Sequence, residues 1–341
     1  MRLLIVTQKV DKNDPILGFF HRWIIEFAKH FESIVVICLE KGAYELPSNV
    51  KVLSLGKENR KSRIQYILRF YKYIWQERKN YDVVFVHMNQ EYLIMGGGIW
   101  RLIGKKVTMW RNHYAGSFLT DFASFFCNKI FCTSRFSYTA RYKKTVLMPV
   151  GVDLENFKPK TEIARGKRSI LFLARFSPSK RPDFLVEALK KITDQGIEYT
   201  ASMYGDPIES DREYYQSIKE HVLKYALDVK FFNGVPNYKT PEIYSAHEIF
   251  VNLSASGMYD KTIFESIACG CLIVASNDNL VGQISDDFIF KQCDIDELTE
   301  KIKKLLDYSE ENRKTAQVSL GRFVKKHSLS HLADSLSKNI N

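Results

Sequence analysis

Long hydrophobic runs are scarce in this chain. The most apolar window, residues 93–104, is interrupted by Arg101 and a run of three glycines. It falls short of the ~20 apolar residues that a membrane-spanning helix needs. Residues 1–7 are apolar but give way at once to Gln8, Lys9 and Asp11. A signal peptide needs a longer apolar region and a cleavage site, so the expected location is the cytoplasm. Cysteine is sparse as well. Cys269 and Cys271 stand one residue apart, a spacing that suits no common zinc site. The cysteines are therefore expected to be reduced and buried. An excess of positive charge is missing from the second half of the chain. Residues 1–160 hold 26 Lys and Arg against 13 Asp and Glu, whereas residues 161–341 hold 24 against 26. The whole excess of +11 thus comes from the first half, which should attract anionic partners. Those partners are an acidic lipid surface, a phosphorylated acceptor or nucleic acid. No groove-reading helix, zinc finger or RNA-binding sheet motif accompanies the charge, so nucleic acid is not expected.

What is present is a regular alternation of short apolar runs and amphipathic stretches. Strands are expected at 3–7, 34–39, 50–55, 82–87, 106–110, 129–133 and 146–149. Helices are expected at 21–31, 60–79 and 90–103, with a Phe-rich helical stretch around Phe118, Phe122, Phe125 and Phe126 and a short helix capped by Ser134. Residues 151–167 are charged and turn-rich and read as a linker. The alternation then restarts, with strands at 170–174, 200–204, 229–233, 249–253 and 272–275. Strands alternating with helices mean βαβ units and parallel sheets. The expected architecture is α/β, with two doubly wound, Rossmann-like domains facing a cleft. The basic first domain covers 1–150 and the second 168–322. A closing helix over 323–341 either stays with the second domain or crosses back to the first.

Residues 254–276 carry the most chemistry. A small, polar loop leads into a helix from Thr262, with Ile263, Phe264, Ile267 and Ala268 at helical spacing. Gly270 suits the left-handed residue that ends a helix, and residues 272–275 form a buried strand. A polar loop feeding a helix N-terminus offers unpaired N–H groups to an anion. Glu265, one turn in, adds an acceptor for a hydroxyl pair. Phosphate and ribose fit that combination, although an ordinary βαβ crossover has the same pattern. Arg175 and Lys180 follow the strand 170–174 and flank Pro178. Two cations so placed can converge on one anion and stabilise charge developing on a diphosphate leaving group.

Three motifs resemble the retaining glycosyltransferases of the GT-B fold, family 4. They are LMPVGVDLENF (147–157), ILFLARFSPSKRPDFLVEAL (170–189) and SASGMYDKTIFESIACGCLIVAS (254–276). Gly18 with His21, Thr133-Ser134, Tyr204-Gly205-Asp206 and Phe232-Asn233-Gly234-Val235 are weaker echoes. The resemblance implies that Arg175 and Lys180 bind the diphosphate of a nucleotide sugar. It implies that Gly18, Gly205 and the helix start Lys261, Thr262 and Ile263 line the donor, with Glu265 on the ribose. It also places His113 near the donor sugar from the facing domain, a residue that by itself reads equally well as structural. Where the family usually has a second Glu, eight residues before Glu265, this sequence has Gly257. Asp260 either reaches the same sugar or holds the loop. The resemblance further implies transfer of a hexosyl unit with retention, no metal and no cofactor beyond the nucleotide sugar. The acceptor is expected to be a glycan or lipid-linked glycan bound by the basic first domain, as in polysaccharide biosynthesis. A catalytically silent nucleotide-sugar-binding or scaffold protein is the alternative that Gly257 leaves open.

Two further stretches need weighing. Asp294-Ile295-Asp296 matches the metal-binding Asp-x-Asp pattern, but it precedes an amphipathic helix and reads as an N-cap with an acidic first turn. The helix 60–79 gathers Ile64, Ile67, Leu68, Tyr71, Ile74 and Trp75 on one face, with Arg63, Arg69, Lys72, Arg78 and Lys79 largely elsewhere. Either the apolar face packs on the protein's own sheet, or the helix lies on an anionic membrane as a peripheral anchor.

Overall fold

A computed structural model describes residues 1–14 and 16–340 of the chain. Asn341, the last residue of the expected closing helix, lies outside the described residues. The chain divides into two units, and each holds one parallel sheet.

The first unit runs through β1 (Arg2–Val10), α1 (Gly18–Phe27), β2 (Ser33–Lys41), β3 (Val50–Ser54), α2 (Arg63–Gln76), β4 (Val83–His87), α3 (Glu91–Leu102), β5 (Lys106–Trp110), α4 (Phe118–Phe125), β6 (Lys129–Cys132) and β7 (Thr145–Leu147). Its strands pair in the order β3-β2-β1-β4-β5-β6-β7, all parallel. Leu3, Leu4, Ile5 and Val6 of β1 are wholly buried, because helices cover both faces of a parallel sheet. One face carries Phe20, Trp23, Ile24 and Phe27 of α1. The other carries Phe70 and Ile74 of α2, Tyr92, Leu93 and Trp100 of α3, and Ala123 of α4.

The second unit, Val152–Ser328, contains β8 (Ser169–Leu173), α5 (Pro182–Asp194), β9 (Thr200–Tyr204), α6 (Arg212–Lys224), β10 (Val229–Phe232), α7 (Thr240–Ser245), β11 (Ile249–Asn252), α8 (Lys261–Ala268), β12 (Leu272–Ala275), α9 (Ile295–Leu306) and α10 (Glu310–Lys325). Its strands pair in the order β10-β9-β8-β11-β12. The order reverses between β8 and β11, so a crevice opens beyond the carboxyl ends of those two strands. The last helix, α11 (Leu329–Ile340), returns to the first unit. There Leu332, Ala333 and Leu336 join the α1 side of the core. The change of unit therefore falls between Ser328 and Leu329, six residues later than the sequence boundary at 322/323.

Beside the cysteines, of which Cys293 is exposed although all were expected to be buried, three sequence expectations need correction. The stretch 151–167 is part of the second unit from Val152 onward. Phe157 is buried beside Tyr244, and the Arg165 guanidinium donates to the carbonyls of Cys269 (2.8 Å), Gly270 and Ser245. A cation among the free carbonyls of a helix C-terminus is stabilising, which fixes this charged stretch in place. Ser134 does not cap the short helix that follows. Its hydroxyl accepts from Phe136 N–H at 3.0 Å, and Ser137 is the residue at the helix start.

The third correction concerns α2. The capping box of Ser62 and Gln65 starts this helix as its sequence directs. Its core face, however, is formed by Phe70 and Ile74, with Tyr66 and Tyr73 packed alongside. Ile64, Ile67, Leu68, Tyr71 and Trp75 point outward. Phe70 meets Tyr92 tilted at 5.5 Å and Trp100 edge-on at 5.8 Å, contacts that a rotated helix would forfeit. Replacing Phe70 with Ala should lower the unfolding free energy by about 3–5 kcal/mol. Trp75→Ala should cost no more than ~0.5 kcal/mol. Guanidinium denaturation of the two variants checks the orientation, and a larger loss at Trp75 would reverse it.

Candidate functional site

The crevice side of the second sheet brings together most of the residues singled out in that unit. Arg175 lies two residues past β8, exposed, with no hydrogen bond or ion pair among the described residues. Its backbone is crowded by Gly205 at the end of β9. A Cβ on Gly205 would sit 1.9 Å from the Ala174 carbonyl oxygen, and its φ is +153°. Only glycine lets the two strand ends approach this closely.

Lys180 occupies the turn before α5, and its ammonium donates to Asp260 Oδ2 at 2.7 Å and Ser254 Oγ at 2.9 Å. Asp260 is the N-cap of α8. Its Oδ1 accepts from the Thr262 N–H (3.2 Å) and hydroxyl (2.8 Å), and its Oδ2 accepts from Ser254 Oγ (2.7 Å) and Lys180. Partial burial disfavours the charged form, but Lys180 and these hydrogen bonds hold the carboxyl well below its ordinary 3.8. Charge-assisted bonds contribute about 1.5–3 kcal/mol each, enough to outweigh the desolvation of one carboxylate. Of the two roles open to Asp260, the geometry shows it holding the loop and the helix start.

The N-terminal donors of α8 are correspondingly engaged. Thr262 N–H goes to the Asp260 side chain and Ile263 N–H to its carbonyl, 3.2 Å away. The sequence offered these groups to a ligand's phosphates; in the folded chain the cap holds them. Lys261, the first residue of α8, is half-buried, and desolvation pushes its ammonium down to about 8 against the attraction of Glu265 and Asp153. Glu265, one turn on, is buried, and burial raises its carboxyl against the pull of Lys261 and the Asn237 amide. Asn237 Nδ2 donates to both of its oxygens, at 3.2 and 3.4 Å. The helix ends at Gly270, whose φ of +89° is the left-handed value expected there.

Gly257, where the resemblance called for a second acid, has φ +139°. A glutamate would be strained in that conformation. The loop around it is fixed by other contacts: Tyr259 donates to Asn279 O at 2.8 Å, and Asn277 donates to Met258 O at 2.8 Å.

Gly18 and His113 belong to the first unit. Gly18 opens α1, and a Cβ there would lie 3.1 Å from the Lys12 carbonyl oxygen. His113 Nδ1 accepts from Ala115 N–H at 3.0 Å, and its ring stacks on Tyr114. His87 packs against Phe20 with ring centroids 3.8 Å apart, within the aromatic cluster of that unit. Asp294 caps α9 by accepting from Glu297 N–H, and Asp296 pairs with Lys191. Among the described residues no group of three or more His, Cys, Asp or Glu is placed to hold a metal ion.

Two contributors went unnoticed in the sequence. Ser254 was visible as the start of the key stretch but carried no sign of its bond to Lys180. Asn237 comes from the loop after β10, and nothing local marks it as the partner of Glu265.

Over its full length the chain superposes on HepE from Anabaena, crystallised with UDP, with a TM-score of 0.80 at 17% identity, covering 100% of this chain and 99% of that one. The fold is GT-B. Residues 153–320, nearly all of the second unit, match the family described as glycosyl transferases group 1. The chain is also 23% identical over 218 residues to the GtfA subunit of a UDP-N-acetylglucosamine–peptide N-acetylglucosaminyltransferase from Streptococcus pneumoniae. It is 28% identical over 181 residues to an Escherichia coli UDP-Gal:alpha-D-GlcNAc-diphosphoundecaprenol alpha-1,3-galactosyltransferase. These alignments cover 55% and 48% of this chain, and only 41% and 46% of the two relatives.

The Asp260 network makes a direct stability prediction. A carboxyl held below its ordinary value contributes stability that is present above 3.8 and is lost as pH falls below it. Asp260→Ala removes the cap and strands Lys180, at a cost of about 3 kcal/mol at neutral pH. In urea denaturation the gap between parent and variant should narrow as the pH is lowered through 3.8. A gap independent of pH would show that the charge contributes nothing.

Proposed function

We propose that this protein is a retaining glycosyltransferase that moves a hexosyl unit from a nucleotide-diphosphate sugar to a glycan or lipid-linked acceptor. The observation that carries the reading is the grouping of Lys180, Lys261 and Glu265 around the start of α8, with Arg175 at the neighbouring strand end. The family match over the second unit supports it. HepE, the structural neighbour, has been crystallised with UDP and with UDP-glucose, which makes a uridine nucleotide the first donor to test.

The chemistry follows from the charges. As the glycosidic bond breaks, negative charge grows on the diphosphate. Arg175, free of other partners among the described residues, and Lys180, already oriented by Asp260 and Ser254, take up that charge. Preorganisation matters here, because a lysine that needs no reorientation loses little in the transition state. Lys261 adds a third cation whose charge a bound diphosphate would restore. Glu265 takes the ribose hydroxyls in place of Asn237. The departing phosphate deprotonates the acceptor hydroxyl, so neither a separate base nor a metal enters the scheme. The first unit, which holds His113 and Gly18, binds the acceptor at the cytoplasmic face of a membrane. The rival reading, donor binding without transfer, draws on Gly257 alone.

Arg175→Ala and Lys180→Ala should each lower transfer by about 100-fold or more, measured as UDP released with an acceptor present. Unchanged turnover in both would sink the site assignment, and donor binding with no release by the parent protein would favour the rival. The depressed Lys261 amine adds a second test. Between about 8 and its ordinary 10.5 it is largely neutral in the free protein, and an anion restores its charge. Calorimetry of UDP binding near pH 9 (roughly mid-window) in buffers of different ionisation enthalpy should therefore record proton uptake. That uptake should vanish in Lys261→Met.

A further inference from the structure

The outward orientation of α2 leaves its apolar stripe exposed among the described residues. On the same face of the first sheet, α3 and α4 complete a single helical layer. Tyr71 donates to Met95 O, joining α2 to α3, and Gly97 of α3 lies under the ring of Phe126 at the end of α4. The outer side of this layer exposes large apolar residues, along α2 and α4 and at the end of α3. Ile64 is 71% exposed, Leu68 64% and Trp75 55%; Leu102 of α3 is 89% exposed; Phe118 and Phe125 of α4 are 78% and 77% exposed. Phe118 and Phe122 stack along α4, so its stripe is continuous. Scattered exposed apolar residues need no explanation, but large ones gathered on the outer side of one helical layer mark an interaction site.

Charge identifies the occupant. No Asp or Glu occurs from Ser62 to Gln76, while Arg63 and Lys72 are exposed on that helix and Lys79 just beyond it. Arg101 stands next to Leu102. The Arg78 guanidinium lies 4.5 Å over the Trp75 ring, at the basic end of the stripe. Apolar side chains flanked by long cations, with an aromatic at the boundary, match a bilayer interface in which the cations reach acidic headgroups. No helix among the described residues is long and apolar enough to cross a membrane, so docking would be by the face and not by insertion of a span. From this we infer that the α2–α3–α4 layer is a docking surface for anionic lipid bilayers. The inference deepens the membrane-side part of the proposed function and uses no residue of the second unit.

The chain contains four tryptophans, and three of them, Trp23, Trp100 and Trp110, are buried. Emission changes on docking therefore report Trp75. The full chain is mixed with vesicles of phosphatidylcholine, or of phosphatidylcholine with about one-third phosphatidylglycerol. The expected result is co-sedimentation and a blue shift with the anionic vesicles only, both weakened by salt. Leu68→Glu with Trp75→Glu, and separately Phe118→Glu with Phe125→Glu, should each weaken partitioning by about tenfold or more. These positions are exposed, so thermal unfolding and UDP binding should stay unchanged. Trp75→Phe should abolish the blue shift yet still sediment, which keeps the test valid if a glutamate variant misfolds. Absence of sedimentation with anionic vesicles, or sedimentation unaltered in both glutamate variants, would overturn the inference. So would a concentration-dependent blue shift without lipid, since that would mean a second copy of the chain covers the surface. UDP binding by a chain that ignores vesicles would leave the donor site standing while removing the membrane surface.

Discussion

The ion pair between Lys180 and Asp260 is the constraint on which the candidate site depends. A carboxylate at the start of α8 satisfies the helix N-terminus, fixes the hydroxyls of Ser254 and Thr262, and holds a lysine that comes from the far side of the sheet reversal. Any one of these contacts is worth little more than a few kcal/mol. Together they join the loop after β8 to the loop after β11, the two strands between which the sheet order changes direction. A ligand entering there would meet an ammonium already aimed by its partners. The carboxylate is thereby committed to the loop and the helix start.

Much of the fold was legible because fully buried parallel strands leave an unambiguous trace. Runs such as Leu3–Val6 or Leu272–Ala275 lack polar residues since helices cover both faces of the sheet. The start of α9 was legible because Asp294 caps it, whereas the helix expected from residue 60 begins only after the cap at Ser62. The face of α2 was not. Its sequence carries apolar side chains on both sides, and periodicity reports how they are spaced without saying which side the sheet takes. Phe70 decides it, through tertiary contacts with Tyr92 and Trp100 that no local pattern contains. The charged stretch after Gly151 misled for a related reason. Arg165 reads as solvated until the C-terminal carbonyls of α8, more than a hundred residues away, are seen to receive it.

The candidate site divides in the same way. Residue types were readable: two cations after a strand, an acid one turn into a helix, a glycine where two strand ends touch. Partnerships were not. Sequence could not tell a sugar-binding Asp260 from a capping one, nor find Asn237 for Glu265. The positive φ at Gly257 adds a point that composition alone hides, because the loop there is shaped for glycine and not merely short of an acid.

The central claim, that Arg175 and Lys180 together hold a nucleotide diphosphate while Glu265 takes its ribose, is tested most directly by a crystal structure of the protein with UDP. The account predicts the β-phosphate within hydrogen-bond distance of both cations, Lys180 still paired with Asp260, and Glu265 turned from Asn237 to the ribose hydroxyls. UDP bound elsewhere, or bound here with Glu265 still on Asn237 and neither cation in contact, would contradict it.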